Sequence, residues 1–139
     1  MTQVIDVTRP PLNLYEASRV TLSTFGVWVP IFAPPRWRVP PTPIDPELIS
    51  DTAALISNAF ICNLGSSPSI ISVRTTDGVD EFPIVLSAGV LAATNLSLNM
   101  RRAIVVSGEE VQAQLIAGPS VAVHMSFILN TRERVQVIG

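Results

Sequence analysis

The 139-residue chain has nine basic residues, all arginine, eleven acidic residues, one histidine and one cysteine, for a formal net charge of −2. That inventory excludes an intrachain disulfide, a basic tract able to neutralise a row of phosphates, and a structural zinc centre, which takes about four Cys or His ligands. Hydrophobic residues make up 47% and charged residues 14% of the chain, with a mean hydropathy of +0.43; the charged share of an ordinary soluble domain is about 25%.

A chain of this length fits one domain, long enough to bury roughly 68–70% of the surface its unfolded form exposes. Its low charge leaves a membrane protein or a subunit covered by other subunits. One long uncharged run, Phe82 to Met100, is broken by Pro83, Ser87, Thr94, Asn95, Ser97 and Asn99. A spanning helix needs about 20 mostly apolar residues, so burial against partner proteins is the expectation. Arginine without lysine fits that expectation, because the weakly hydrated guanidinium suits interfaces, and fits equally a bias of genome composition.

In chain order, Met1 to Asp6 lacks the basic region and apolar core of a signal peptide, so the protein is expected to stay in the cytoplasm where it is made. Residues 1–17, with Pro10-Pro11, read as a tail or arm, and residues 18–139 as a single domain. Arg19 to Thr24 and Gly26 to Phe32 read as short strands. Pro30 to Pro46 holds seven of the twelve prolines. Proline fixes φ and removes an amide donor, so this stretch is expected to be an extended strap that is neither helix nor central strand. Two readings stand, a loop packed on its own sandwich through Trp37 and an arm reaching a neighbouring subunit, and a loop of this length favours the arm. Trp28, Pro34, Pro35, Arg36, Trp37 and Arg38 are its candidate interface residues, since Trp and Arg are enriched at hot spots.

Asp45 to Asp51 is the one plausible helical turn, with Pro46 at a first helical position. Leu55 to Leu64, apolar on both faces, reads as a central strand, paired with Ser69 to Thr76 around the turn Gly65-Ser66-Ser67-Pro68. Asp77-Gly78 closes the latter strand, and Phe82 to Leu86 with Val90-Leu91 makes a short bent segment. Three alternating runs follow: Leu96 to Arg101, Val111 to Leu115, and Val121 to Leu129. Alternation places Leu96, Leu98, Met100, Val111, Ala113, Leu115, Val123, Met125 and Phe127 on one interior. Turn residues at 107–110 and 117–120 separate the last runs. About eight strands at this spacing predict an all-β, antiparallel β-sandwich, jelly-roll-like or Ig-like, with an extended proline-rich strap.

Few residues could carry chemistry. His124 lies mid-strand without an apparent nucleophile or orienting partner, and Cys62 lies where a small buried hydrophobe is expected. Asp80-Glu81 and Glu109-Glu110 read as solvated turn tips without a calcium loop. Gly65-Ser66-Ser67 lacks the spacing, following helix and lysine of a phosphate loop. The reading is therefore of a protein that is not an enzyme, with no catalytic residues, metal, cofactor or small-molecule substrate, and no nucleic-acid or membrane partner.

The order Val27-Trp28-Val29-Pro30, then Ala59 to Ser66, then Ser69 to Arg74, then Ser107-Gly108-Glu109 and Val121 to Phe127 resembles small β-sandwich structural proteins of tailed bacteriophages. The similarity is one of layout over residues 18–129. It implies a subunit of the virion, in the tail, neck or fibre attachment, that assembles with other virion proteins and as a homo-oligomer. Two other expectations stand beside it: a capsid decoration (cement) protein, and a carbohydrate-binding module using Trp28, Trp37 or Tyr15 as aromatic platforms.

Overall fold

The computed structural model describes residues 3–5, 12–35, 37–39, 43–44, 47–97 and 104–137, and at 3–5, 12–14, 37–39, 47–50, 95 and 131–137 the backbone alone. Its strands are β1 (Gln3–Ile5), β2 (Leu12–Leu22), β3 (Trp28–Phe32), β4 (Trp37–Val39), β5 (Glu47–Asn63) and β6 (Ser69–Thr76). They continue with β7 (Glu81–Val90), β8 (Asn95–Ser97), β9 (Ile104–Val106), β10 (Glu110–Ala117) and β11 (Val121–Val137). No helix is present among the described residues. The expected all-β antiparallel sandwich is found, with eleven strands among the described residues where about eight were expected, because two short edge strands, β4 and β9, and the N-terminal β1 add to the count.

The strands divide into a seven-stranded and a four-stranded sheet. In the larger, β11 is central: β1 and β2 pair with one side of it and β5 with the other, and β4, β8 and β9 pair with the far side of β5. The smaller sheet has the order β3-β10-β6-β7. The period-two alternation read from the sequence decides which side of each strand faces inward. Val111, Ala113 and Leu115 of β10 and Val121, Val123, Met125, Phe127 and Leu129 of β11 are buried together with Leu22, Ile31, Ala54, Ile56, Ala59, Ile61, Ile71, Val73, Val90 and Val105. Leu96 packs half-buried against this core, whereas Leu98, Met100 and Arg101 lie outside the described residues.

Several sequence expectations are corrected. Leu55–Leu64 and Ser69–Thr76 are not a hairpin, since β5 belongs to the larger sheet and β6 to the smaller. The turn at 65–68 is a corner between layers, and 118–120 is another. These corners interlock: Leu64 N–H donates to Ser120 O at 3.1 Å and the Ser69 hydroxyl to Pro119 O at 2.7 Å. Gly65 abuts the Pro119 ring, and Gly118, at φ 91°, lies against the Pro68 carbonyl. The helical turn expected at Asp45–Asp51 is also overturned. Residues 47–51 are strand, in register with Gln136 to Arg132 of β11, because ladder bonds along a central strand outweigh a weak local helix signal; Asp45 and Pro46 lie outside the described residues. The 1–17 tail is likewise strand at 3–5 and from Leu12 on, paired with β11.

The proline-rich strap runs along its own domain where it is described. Its first residues complete β3 and its middle forms β4 on the edge of β5; Pro30 falls on β3, an edge strand of the smaller sheet, where a missing amide donor is tolerated. Between them Pro34 is buried, and Ser107 clamps the segment. The Ser107 hydroxyl accepts the Thr52 N–H at 2.8 Å and lies 2.9 Å from the Pro35 carbonyl.

Candidate assembly surface

The outer face of the seven-stranded sheet is built by residues that alternate with the core positions. Register places Tyr15 of β2 beside Ile128 of β11, Ile128 beside Leu55 of β5, and Leu55 beside Ile104 of β9. This apolar row crosses four strands on the solvent side. Its outer members are Tyr15, 82% exposed, and Ile104, 61% exposed; Leu55 and Ile128 are half-buried. Ala53 and exposed Val106 extend it on one side. On the other, beyond the bulge where Ser57 and Asn58 are both exposed, Phe60 stacks on His124 with ring centroids 4.8 Å apart and planes 7° from parallel. An antiparallel sheet with one solvated face ordinarily carries polar residues there. Four apolar side chains in register across it form a surface suited to covering by another protein.

His124 thus takes part in an aromatic stack, with Arg19 as its neighbour on β2. Cys62 is a further correction. It lies half-buried on this outer face, not in the core, because Ile61 and Asn63 take the inward positions. Among the described residues no three of His, Cys, Asp and Glu come together in a metal-binding group.

The outer face of the smaller sheet is differently constructed. The Arg74 guanidinium lies 4.0 Å from the Trp28 ring centroid, its Nε donates to Gln112 Oε1 at 2.9 Å, and it pairs with Glu81 at 3.0 Å. Gln112 in turn donates to Glu110 at 2.8 Å. One face of Trp28 is therefore engaged by a cation. That leaves it poorly disposed as a sugar platform. Glu81 and Glu110 open β7 and β10, while Asp80 and Glu109 lie in the turns before them: the Asp80 carbonyl accepts the Asp77 N–H at 3.3 Å and the Glu109 carboxylate the Val106 N–H at 3.0 Å.

Of the six candidate interface residues, Trp28 is half-buried over Arg74, Pro34 is buried and Pro35 half-buried at the Ser107 clamp. Arg36 lies outside the described residues, and Trp37 and Arg38 are described as the backbone of β4, in register with Ser50 and Ile49. The structure brings Pro34 and Pro35 together at the clamp and keeps Trp28 apart on the other sheet. Of the row from Tyr15 to Ile104, the sequence singles out Tyr15 alone, as an aromatic platform, and none as an interface residue. The row's signal is present in the sequence as apolar residues at outward positions of alternating runs: Ile128 after Ala122, His124 and Ser126, and Ile104-Val105-Val106 apolar on both sides. Comparison with protein-family models, with curated proteins and with solved structures finds no match to this chain.

Proposed function

We propose that the chain is a non-enzymatic assembly subunit of a bacteriophage particle, in the tail, neck or fibre attachment, held in place by contacts with neighbouring virion proteins. The observation that carries the assembly role is the apolar row Tyr15–Ile128–Leu55–Ile104 on the outward side of the larger sheet. Low charge and arginine without lysine support the same reading, and the layout resemblance supplies the particle. Burying such a row removes apolar area from water, which stabilises a contact by roughly 25 cal/mol per Å².

The test is co-production of the chain with the products of its neighbouring genes, followed by sedimentation of any particles. Wild-type chain is expected in the particle fraction. Ile104→Asp and Leu55→Asp are expected to leave it in the soluble fraction with an unchanged β-sheet circular dichroism spectrum. Wild-type protein that stays soluble beside completed particles, or a Leu55→Asp variant that enters them normally, overturns the proposal.

A further inference from the structure

Strand edges in this fold are guarded, with one exception among the described residues. In the smaller sheet, β3 carries Pro30, while β7 carries Pro83, irregular register and Ser87 at φ 49°. On the β5 side of the larger sheet the edge is made by β4, β8 and β9, three residues each. Prolines, bulges and short strands are the usual protection against edge-to-edge pairing. β2 has none of these three; its charges are Glu16, on the side of Phe127, and Arg19, on the side of His124. It runs eleven residues in unbroken register with β11, without proline, glycine or lysine.

We propose that β2 pairs antiparallel with β2 of a second copy, about a two-fold axis through Ala17, joining the two larger sheets into one. Two-fold pairing with the same faces aligned requires opposing residue numbers to sum to an even value, so only a few registers exist. Centring on Glu16 or Arg19 sets like charges face to face, which is destabilising. Centring on Ala17, the midpoint of Leu12–Leu22, opposes Leu12 to Leu22, Leu14 to Val20 and Glu16 to Ser18, and matches all eleven residues. It also sets the exposed Tyr15 against Arg19 of the partner subunit, twice by symmetry, on the outer face. A guanidinium beside a phenol ring is a favourable cross-strand pair. Exposed Ala17 at the axis is small enough for close approach. The Ser18 hydroxyl, inward-facing, donates to Ile31 O at 2.6 Å and so stiffens the edge from beneath.

The inference names a like copy as one partner within the assembly role and rests on that role only for its use in a particle. The experiment is light scattering across a concentration series, with Cys62→Ser as background for cysteine variants. Wild-type chain is expected to dimerise. Oxidised Ala17→Cys is expected to lock as a covalent dimer and Thr21→Cys to remain monomeric on a denaturing gel. Tyr15→Lys, which sets a second cation against the partner's Arg19, should weaken the dimer at least about tenfold, and the double variant Tyr15→Lys/Arg19→Glu should restore it. Within one strand these positions are about 13 Å apart, so rescue reports a contact between copies. A monomeric wild-type chain overturns the inference, as does equal cross-linking at 17 and 21 or a failed rescue. A dimer of this kind that never enters a particle overturns the particle reading alone, and a monomer that enters one overturns this inference alone.

Discussion

Phe127 of β11 and Phe32 of β3 stack across the two sheets, ring centroids 4.1 Å apart and planes 21° from parallel. Phe127 is fully buried, and its ring joins the central strand of one layer to an edge strand of the other. Phe127→Ala should therefore cost roughly 3–5 kcal/mol by leaving a cavity between sheets. Denaturant unfolding checks it; a loss under about 1 kcal/mol is incompatible with this packing.

At the corner end, buried Asn63 ties three segments together. Its Nδ2 donates to Ser67 O at 2.8 Å and Val90 O at 3.0 Å, and its Oδ1 accepts from Gly65 N–H at 2.9 Å. Asn63→Ala strands three backbone groups at once. The expected loss is roughly 2–4 kcal/mol, with faster amide exchange at Gly65 as the local signature.

The glycine at 118 is required on two counts, since its φ of 91° disfavours any side chain and a Cβ would collide with the Pro68 carbonyl and Ser69. Gly118→Ala should cost roughly 2–4 kcal/mol. Gly108→Ala, at φ 96° with open space around it, should cost less because only the backbone term applies. Thermal unfolding of the two variants side by side separates strain from collision.

In the turn after β6, the Asp77 carboxylate accepts the Asp80 N–H at 2.7 Å and the Val79 N–H at 2.8 Å, and these bonds hold its pKa below the usual 3.8. A carboxyl whose folded pKa is depressed stabilises the fold above its unfolded pKa and loses that contribution as pH falls through the folded value. Titration of the side-chain carboxyl by carbon NMR should give a midpoint below 3.8, and Asp77→Ala should remove the acid-side dependence from this turn.

Much of the inward face was legible because alternation is a local property. Val111, Ala113, Leu115, Val123, Met125 and Phe127 each follow a polar or small neighbour and are buried as expected. Which layer a strand joins is not local. Gly65-Ser66-Ser67-Pro68 has the composition of a hairpin turn, yet it crosses between sheets because Asn63 and the facing corner at Gly118-Pro119 hold it there. Leu12 to Ala17 lack strong alternation and were read as tail; their pairing partner, Glu16 to Phe127 and Leu12 to Thr131, lies more than a hundred positions away. The apolar row is illegible as a surface in the sequence for a related reason. Leu55, Ile104 and Ile128 are unremarkable singly and become a surface with Tyr15 only when register aligns them.

The central place of β11 has a kinetic consequence. Its partners β1, β2 and β5 all precede it in the chain, so each leaves the ribosome before the strand that unites them. Until then, among the described residues, β5 has only short neighbours and β2 has none in its sheet. Formation of the larger sheet is concentrated in a single late event that must close loops of very different lengths at once. Chains dominated by such distant pairings refold in roughly milliseconds to seconds, not microseconds. During that interval the open edge of β2 is available to other nascent copies.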